Sequence, residues 1–282
     1  VLVAVVGIYA IFLFISDYNI ISEKISNFKI NYLPLILFLV SASWTPLFIK
    51  WHFLLKNCEI HVPLKKSILV FLSGPAFEIT PGQIGALVKS QILKTSSNIP
   101  RTKTVPIIVV EKVYDLIGAV LASIIGIVIL GMETYLIIIA ILVLVTIFFF
   151  VYYRPASEIF FKQITKRKFF SKYVENISDF YEIVHKSTNV KVATICILLA
   201  LTYWFMVSAA AYYTLIAFDI NILDYLKVLA IYATSTLLGA ISFIPAGIGI
   251  TEGSITGLFT LNGIDVSTAL ILSVMIRILT LW

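Results

Sequence analysis

Residues 78–93, EITPGQIGALVKSQIL, put a carboxylate, a proline, two glycines and a lysine close together in a chain that is 60% hydrophobic, only 13% charged and has a mean hydropathy of +1.02. Apolar runs long enough to cross a bilayer recur on both sides of it. The stretch therefore reads as a polar break inside an integral membrane protein. Backbone that leaves the helix at membrane depth is tolerated only where protein or a wet cavity satisfies its hydrogen bonds, so a break here implies a polar interior.

A second stretch resembles the first. TPGQIGALVKS begins at Thr80 and IPAGIGITEGS at Ile244, and both contain P-x-x-I-G, at Pro81, Ile84 and Gly85 and at Pro245, Ile248 and Gly249. Small residues precede each, Gly74-Pro75-Ala76 in one and Gly239-Ala240 in the other, and these are read as kinks. Broken apolar segments at matching places in two halves point to a binding site built from discontinuous helices. The expected fold is thus all-α and integral to the membrane: a polytopic helical bundle with two broken or re-entrant elements related as a pseudo-repeat, meeting at a polar cavity.

Working outward, apolar segments fall at Val1–Ser16, Tyr32–Leu55, Val105–Leu130, Tyr135–Tyr153, Val192–Phe218, Leu226–Phe243 and Val266–Trp282. A chain of 282 residues has room for about six to eight spans. It opens on Val1 without methionine and stops at Trp282 within an apolar run, so both ends read as truncated. Of 21 Lys and Arg, eight lie between Lys50 and Lys103 and eight between Arg154 and Lys191. The positive-inside bias places the basic regions 50–103 and 154–191 in the cytoplasm, with the loops around Glu23, Glu133 and Asp219 outside.

Within 154–190, KQITKRK precedes an amphipathic pattern in which Phe170, Tyr173, Val174, Ile177, Phe180, Tyr181 and Val184 oppose Lys172, Glu175, Asp179 and Glu182. This predicts a helix on the cytoplasmic leaflet, held by its apolar face and basic flank, or a linker helix packed on the bundle. The net charge of +6 fits such a surface without invoking nucleic acid.

Charges inside apolar runs mark the candidate site. In VPIIVVEKVYDLIGAVLASIIG, Glu111 and Asp115 share a helix face that continues through Gly118, Ala122 and Gly126, with Lys112 close enough to pair. Glu252 follows the second break, among Gly249, Gly253 and Gly257, whose spacing suits close helix packing. Arg277, within ILSVMIRILTLW, needs a carboxylate or a lipid phosphate, with Glu252, Glu111 and Asp115 as candidates. Lys89 is placed against a lipid headgroup, or serves as an ordinary positive-inside lysine.

No phosphate loop, zinc pair, nucleophile elbow or dinucleotide fingerprint occurs, and Cys58, Cys196 and the three histidines are isolated. No metal or cofactor is expected and no enzymatic activity is assigned, although carboxylates such as Glu78, Glu111 and Asp115 leave an intramembrane transferase open.

ITPGQIGALVKSQILK, VPIIVVEKVYDLIGAV and IPAGIGITEGSITGLF together resemble, in order and spacing, the three signature blocks of the lysylphosphatidylglycerol synthase transmembrane-region family, also called the flippase-like domain family. The resemblance spans nearly the whole chain and implies one flippase-like domain over residues 1–282. By it, Pro81, Gly82, Gly85 and Lys89 fall on the first block, Glu111 and Asp115 on the second, and Pro245, Gly247, Gly249, Glu252 and Gly253 on the third; Arg277 looks like the family's late arginine. Two positions depart: Ala86 stands where the family usually has Glu, and Lys112 where it usually has Arg. The first departure removes a carboxylate from the proposed cavity.

The resemblance implies movement of a phospholipid or polyprenyl-linked lipid between leaflets of the cell membrane. Lys89 and Arg277 would meet phosphate, with Glu111, Asp115 and Glu252 as counter-charges or readers of a cationic headgroup. No soluble synthase domain is present, so a separate soluble synthase or glycosyltransferase is the implied partner. A membrane-embedded transferase, or its lipid-presenting partner, and a small-solute transporter are the alternatives.

Overall fold

The computed structural model describes residues 26–74, 85–129, 141–142, 144–146, 177–242 and 244–281. Among them every regular element is helical. The expected segment Val1–Ser16, most of Tyr135–Tyr153, all of 154–176, and the residues Glu78, Pro81 and Gly82 lie outside the described residues.

A 3-10 turn, Ile30–Tyr32, leads into α1, Leu33–Asn57. Then come α2, Leu64–Ser73, α3, Val88–Ser97, and α4, Arg101–Ile129. After them come α5, Ile177–Ser187, α6, Val190–Ala217, α7, Tyr225–Ile241, α8, Ile250–Leu261, and α9, Val266–Leu281. Five of the expected apolar segments coincide with helices to within a few residues, as α1, α4, α6, α7 and α9, because long apolar runs leave little choice. Ile30–Asn57 and Val190–Ala217 are long and apolar enough to cross a membrane, while Tyr225–Ile241 and Val266–Leu281 are apolar but shorter. Phe38, Leu69 and Leu261 are 66%, 70% and 81% exposed, large apolar side chains that suit lipid as solvent.

Local chemistry sets the boundaries. Asp224 caps α7 by accepting from the backbone N–H of Lys227 at 2.9 Å, and Asp265 caps α9 by accepting from Thr268 at 2.9 Å. Asn98 ends α3 in the left-handed conformation, with φ +54°, and its N–H reaches back to the carbonyl of Lys94. The region 50–103, read from its charge as a cytoplasmic loop, is in its described part the end of α1 together with α2 and α3. Its lysines Lys50 and Lys89 are buried rather than solvated.

The contacts divide the chain into two units. One comprises Val1–Thr45, Ala119–Ile137 and Leu201–Trp282, the other Pro46–Gly118 and Ile138–Ala200. The first has a core of Trp204, Val207, Ala211 and Leu215 from α6, Val228, Ile231 and Tyr232 from α7, Ile255 and Phe259 from α8, and Leu272 and Ile276 from α9. The second buries Trp51 and Leu54 of α1, Phe71 of α2, Leu93 of α3 and Ile107 and Ile108 of α4.

In the second unit the end of α5 is tied down. Phe180 and Val184 are buried, and Asn57 Nδ2 donates to the carbonyl of Lys186 at 3.0 Å. Tyr114 donates its hydroxyl to the carbonyl of Ser187 at 2.8 Å. The described part of the amphipathic segment thus packs on protein, the second of the two placements its sequence allows.

Candidate functional site

The second unit holds a row of charges along α4. Lys89, the second residue of α3, reaches past Gly74, where an added Cβ would stand 3.2 Å from its Cδ. Its Nζ pairs with Glu111 Oε2 and sits 4.3 Å from the centroid of the Trp51 ring and 5.9 Å from that of Phe71. An ammonium shut away from water needs both an anion and a polarisable wall, and this arrangement supplies each. Lys89 and Glu111 are 2% and 4% exposed.

One turn further along α4, Asp115 Oδ1 pairs with Lys50 Nζ, and its Oδ2 lies 3.8 Å from Lys112 Nζ. Lys50 is completely covered, whereas Asp115 and Lys112 are about a quarter exposed. Beyond this row, Cys58 shares a hydrogen bond with Ser187 at 3.2 Å, and burial pushes its thiol above the ordinary range. Lys186 is held above its usual value by Glu182 and Glu59.

The first unit holds the second break. After α7 the chain passes through a 3-10 turn, Pro245–Gly247, in which Ala246 and Gly247 take φ of +53° and +64°, and Gly249 follows at +84°. A left-handed alanine is strained, so something must hold it. Arg277 does so from α9: one guanidinium N–H, on Nη2, donates to the carbonyl of Ala246, and Nε donates to Glu252 Oε1 at 3.0 Å. The other oxygen of Glu252 accepts the N–H of Gly249 at 2.7 Å, closing the start of α8. Glu252 and Arg277 are 0% and 3% exposed.

Of the predicted residues, Lys89, Glu111 and Asp115 come together in one unit, and Glu252 and Arg277 pair in the other with Pro245, Gly247 and Gly249 around them. Arg277 takes the first of its three candidate carboxylates. Gly85 begins a short 3-10 turn at residues 85–87 ahead of α3. Ala86 is 1% exposed, so a glutamate there would need a buried partner of its own.

Two readings change. Gly239 is not a kink: α7 runs on to Ile241, and the glycine instead lets Gly247 and Thr251 approach. Gly253 and Gly257 do not pack closely: no atom among the described residues comes within 4 Å of where their Cβ atoms would stand.

Sequence reasoning missed Lys50 and Trp51. Lys50 closes an apolar run and was counted with the loop cations; the signal available was two carboxylates in α4 against a single lysine beside them.

The described residues contain no group of three or more His, Cys, Asp and Glu able to hold a metal. What the two clusters offer is fixed charge inside an apolar body, chemistry suited to binding and positioning an ionic group. A family model for the lysylphosphatidylglycerol synthase TM region matches residues 1–282. The chain belongs to that family. Membership in the lysylphosphatidylglycerol synthase TM region family makes it a membrane domain concerned with lipid. No curated protein matches the chain.

Proposed function

We propose that the chain is a polytopic lipid translocase, one flippase-like domain that carries a phospholipid or polyprenyl-linked lipid headgroup between leaflets of the cell membrane. The observation that carries this reading is a correspondence between the two units. In each, a helix with a glycine near its end (α2 with Gly74, α7 with Gly239) is followed by a stretch containing P-x-x-I-G. A short helix, α3 or α8, then turns through a left-handed residue, Asn98 or Gly263, into a further helix, α4 or α9. In each, a buried ion pair joins the start of the short helix to the eleventh or twelfth residue of the next, and the polarity is reversed: Lys89 to Glu111, Glu252 to Arg277.

Such matched broken elements, read as a pseudo-repeat, and intramembrane ion pairs are the equipment of transporters that move one part against another. In this reading Asp115 faces the headgroup, the buried Lys89–Glu111 pair joins α3 to α4, and Arg277 with Glu252 fixes the second broken element. The basic regions face the cytoplasm, a separate soluble synthase or glycosyltransferase supplies the lipid, and the chain makes no covalent change to it.

The test is leaflet exchange in proteoliposomes, read as the fraction of labelled phospholipid that becomes accessible to a membrane-impermeant quencher. Wild type should accelerate exchange, and Glu111→Gln should abolish the acceleration in a protein that still folds. Absence of exchange for every anionic and polyprenyl lipid offered would sink the proposal.

A further inference from the structure

Three of the buried or partly buried cations stand against carboxylates, and they differ in one respect. Lys89 with Glu111 and Arg277 with Glu252 are closed on both sides, all four side chains being no more than 4% exposed. A ligand could reach either cation only by dismantling the surrounding core. Lys50 differs: it is wholly covered, yet its counter-charge Asp115 is 27% exposed. Asp115 is thus the accessible member of that pair.

The two oxygens of Asp115 face different ammonium groups: Oδ1 pairs with Lys50, and Oδ2 lies 3.8 Å from Lys112. Two ammonium groups gripping the two oxygens of one anion is also how a phosphate is gripped by its non-bridging oxygens, whose bite resembles that of a carboxylate. Lys50 comes from α1, and Lys112 and Asp115 from α4, so the grip is fixed by two packed helices. Asp115 can leave it by a rotation about its own χ1.

We propose that Lys50 and Lys112 form a two-ammonium cradle for a phosphate group, carried by a lipid headgroup or free in solution, which the protein's own Asp115 carboxylate occupies until the ligand displaces it. The exchange is anion for anion, so Lys50 is never left buried without a counter-charge, which would be strongly unfavourable. This rests on the lipid reading above and names, within that site, the group that is bound and the residues that bind it. It also removes phosphate contact from Lys89 and Arg277, whose partners are locked.

The experiment measures retained lipid by native mass spectrometry. The protein is held in nanodiscs of phosphatidylglycerol in a galactosyl diacylglycerol matrix, whose headgroup carries no phosphate. Asp115→Asn removes the competing charge while keeping the shape, and retention of phosphatidylglycerol should rise by about tenfold. Lys112→Gln leaves the Lys50 pair in place and should lower it by a similar factor. A merely structural Asp115 gives no rise, so unchanged or lower retention in a folded Asp115→Asn protein overturns the cradle.

If that variant does not fold, Lys112→Gln alone decides: a fall supports the cradle and no change refutes it. Millimolar inorganic phosphate that displaces the retained lipid assigns the cradle to phosphate in general; lipid that stays bound assigns it to the headgroup. Leaflet exchange by the wild type with retention unaltered in both variants refutes the cradle alone. Altered retention without exchange refutes translocation and leaves the cradle standing.

Discussion

Gly239 on α7 and Gly247 in the break lie backbone against backbone: a Cβ on Gly239 would stand 3.2 Å from the Gly247 Cα, and one on Gly247 would stand 2.9 Å from the Gly239 Cα. Thr251 fills the remaining space, its Oγ1 only 2.0 Å and 2.6 Å from those two positions. Gly239→Ala should therefore cost roughly 1–3 kcal/mol through overpacking. Gly247→Ala should cost more, since its φ of +64° adds backbone strain. Thermal unfolding in detergent measures both. Thr251→Ala should relieve Gly239→Ala more than Gly247→Ala, which also meets the Gly239 backbone at 2.9 Å.

Arg277 supports the break rather than reaching out from it. Arg277→Ala removes the arginine counter-charge from buried Glu252 and the guanidinium donor from the Ala246 carbonyl, a loss of about 3–5 kcal/mol. The double variant Arg277→Met with Glu252→Gln should recover a large part of that loss. Denaturation midpoints of the three proteins give the comparison. An Arg277→Ala protein as stable as wild type would refute the supporting role.

Gly253 and Gly257 make the opposite prediction. Both lie within α8 with nothing among the described residues near a would-be Cβ, so alanine should stabilise the helix by roughly 0.5–1 kcal/mol at each position. A clear loss of stability at either would reveal a segment or a second copy packed on that face.

Cys58 should be a slow thiol. Burial raises its pKa from an ordinary value of 9.0, while the Ser187 hydroxyl partly offsets the shift by hydrogen bonding to the sulfur. Alkylation near pH 8 should run slower than for an unfolded-chain cysteine, and Ser187→Ala should slow it further. The proton is held more tightly in the folded state, so this contribution to stability is intact below pH 9.0 and declines as the pH climbs towards the folded-state value. Mass-resolved alkylation, with the fully covered Cys196 as internal reference, follows the rate.

The long apolar helices could be read from sequence because each is over-determined, whereas Arg277 had three candidate carboxylates or a lipid phosphate, and packing chose Glu252. A lone arginine in an apolar run requires an anion, and the carboxylate after the second break was at hand. Lys50 could not be read in the same way. It stands where an apolar run gives way to basic residues, and composition alone cannot separate a cation facing water from one turned inward to Asp115. Glycine was ambiguous in a similar manner. Gly239 in α7 and Gly253 in α8 are the same letter in similar surroundings, yet one meets a neighbouring backbone and the other open space, a difference set by what packs across from them.

The ion pairs also differ in how far apart their members lie along the chain, and this bears on biosynthesis. Glu252 and Arg277 are 25 residues apart and Lys89 and Glu111 are 22, each pair carried on two consecutive helices. A ribosome-bound hairpin can therefore neutralise its own charge before it partitions from the insertion channel, sparing about 2.5–3.5 kcal/mol per charged group on insertion scales. Lys50 emerges 65 residues ahead of Asp115. Lys50, in the second half of α1, has no partner on an adjacent helix among the described residues, so its pairing with Asp115 waits on the synthesis of α4.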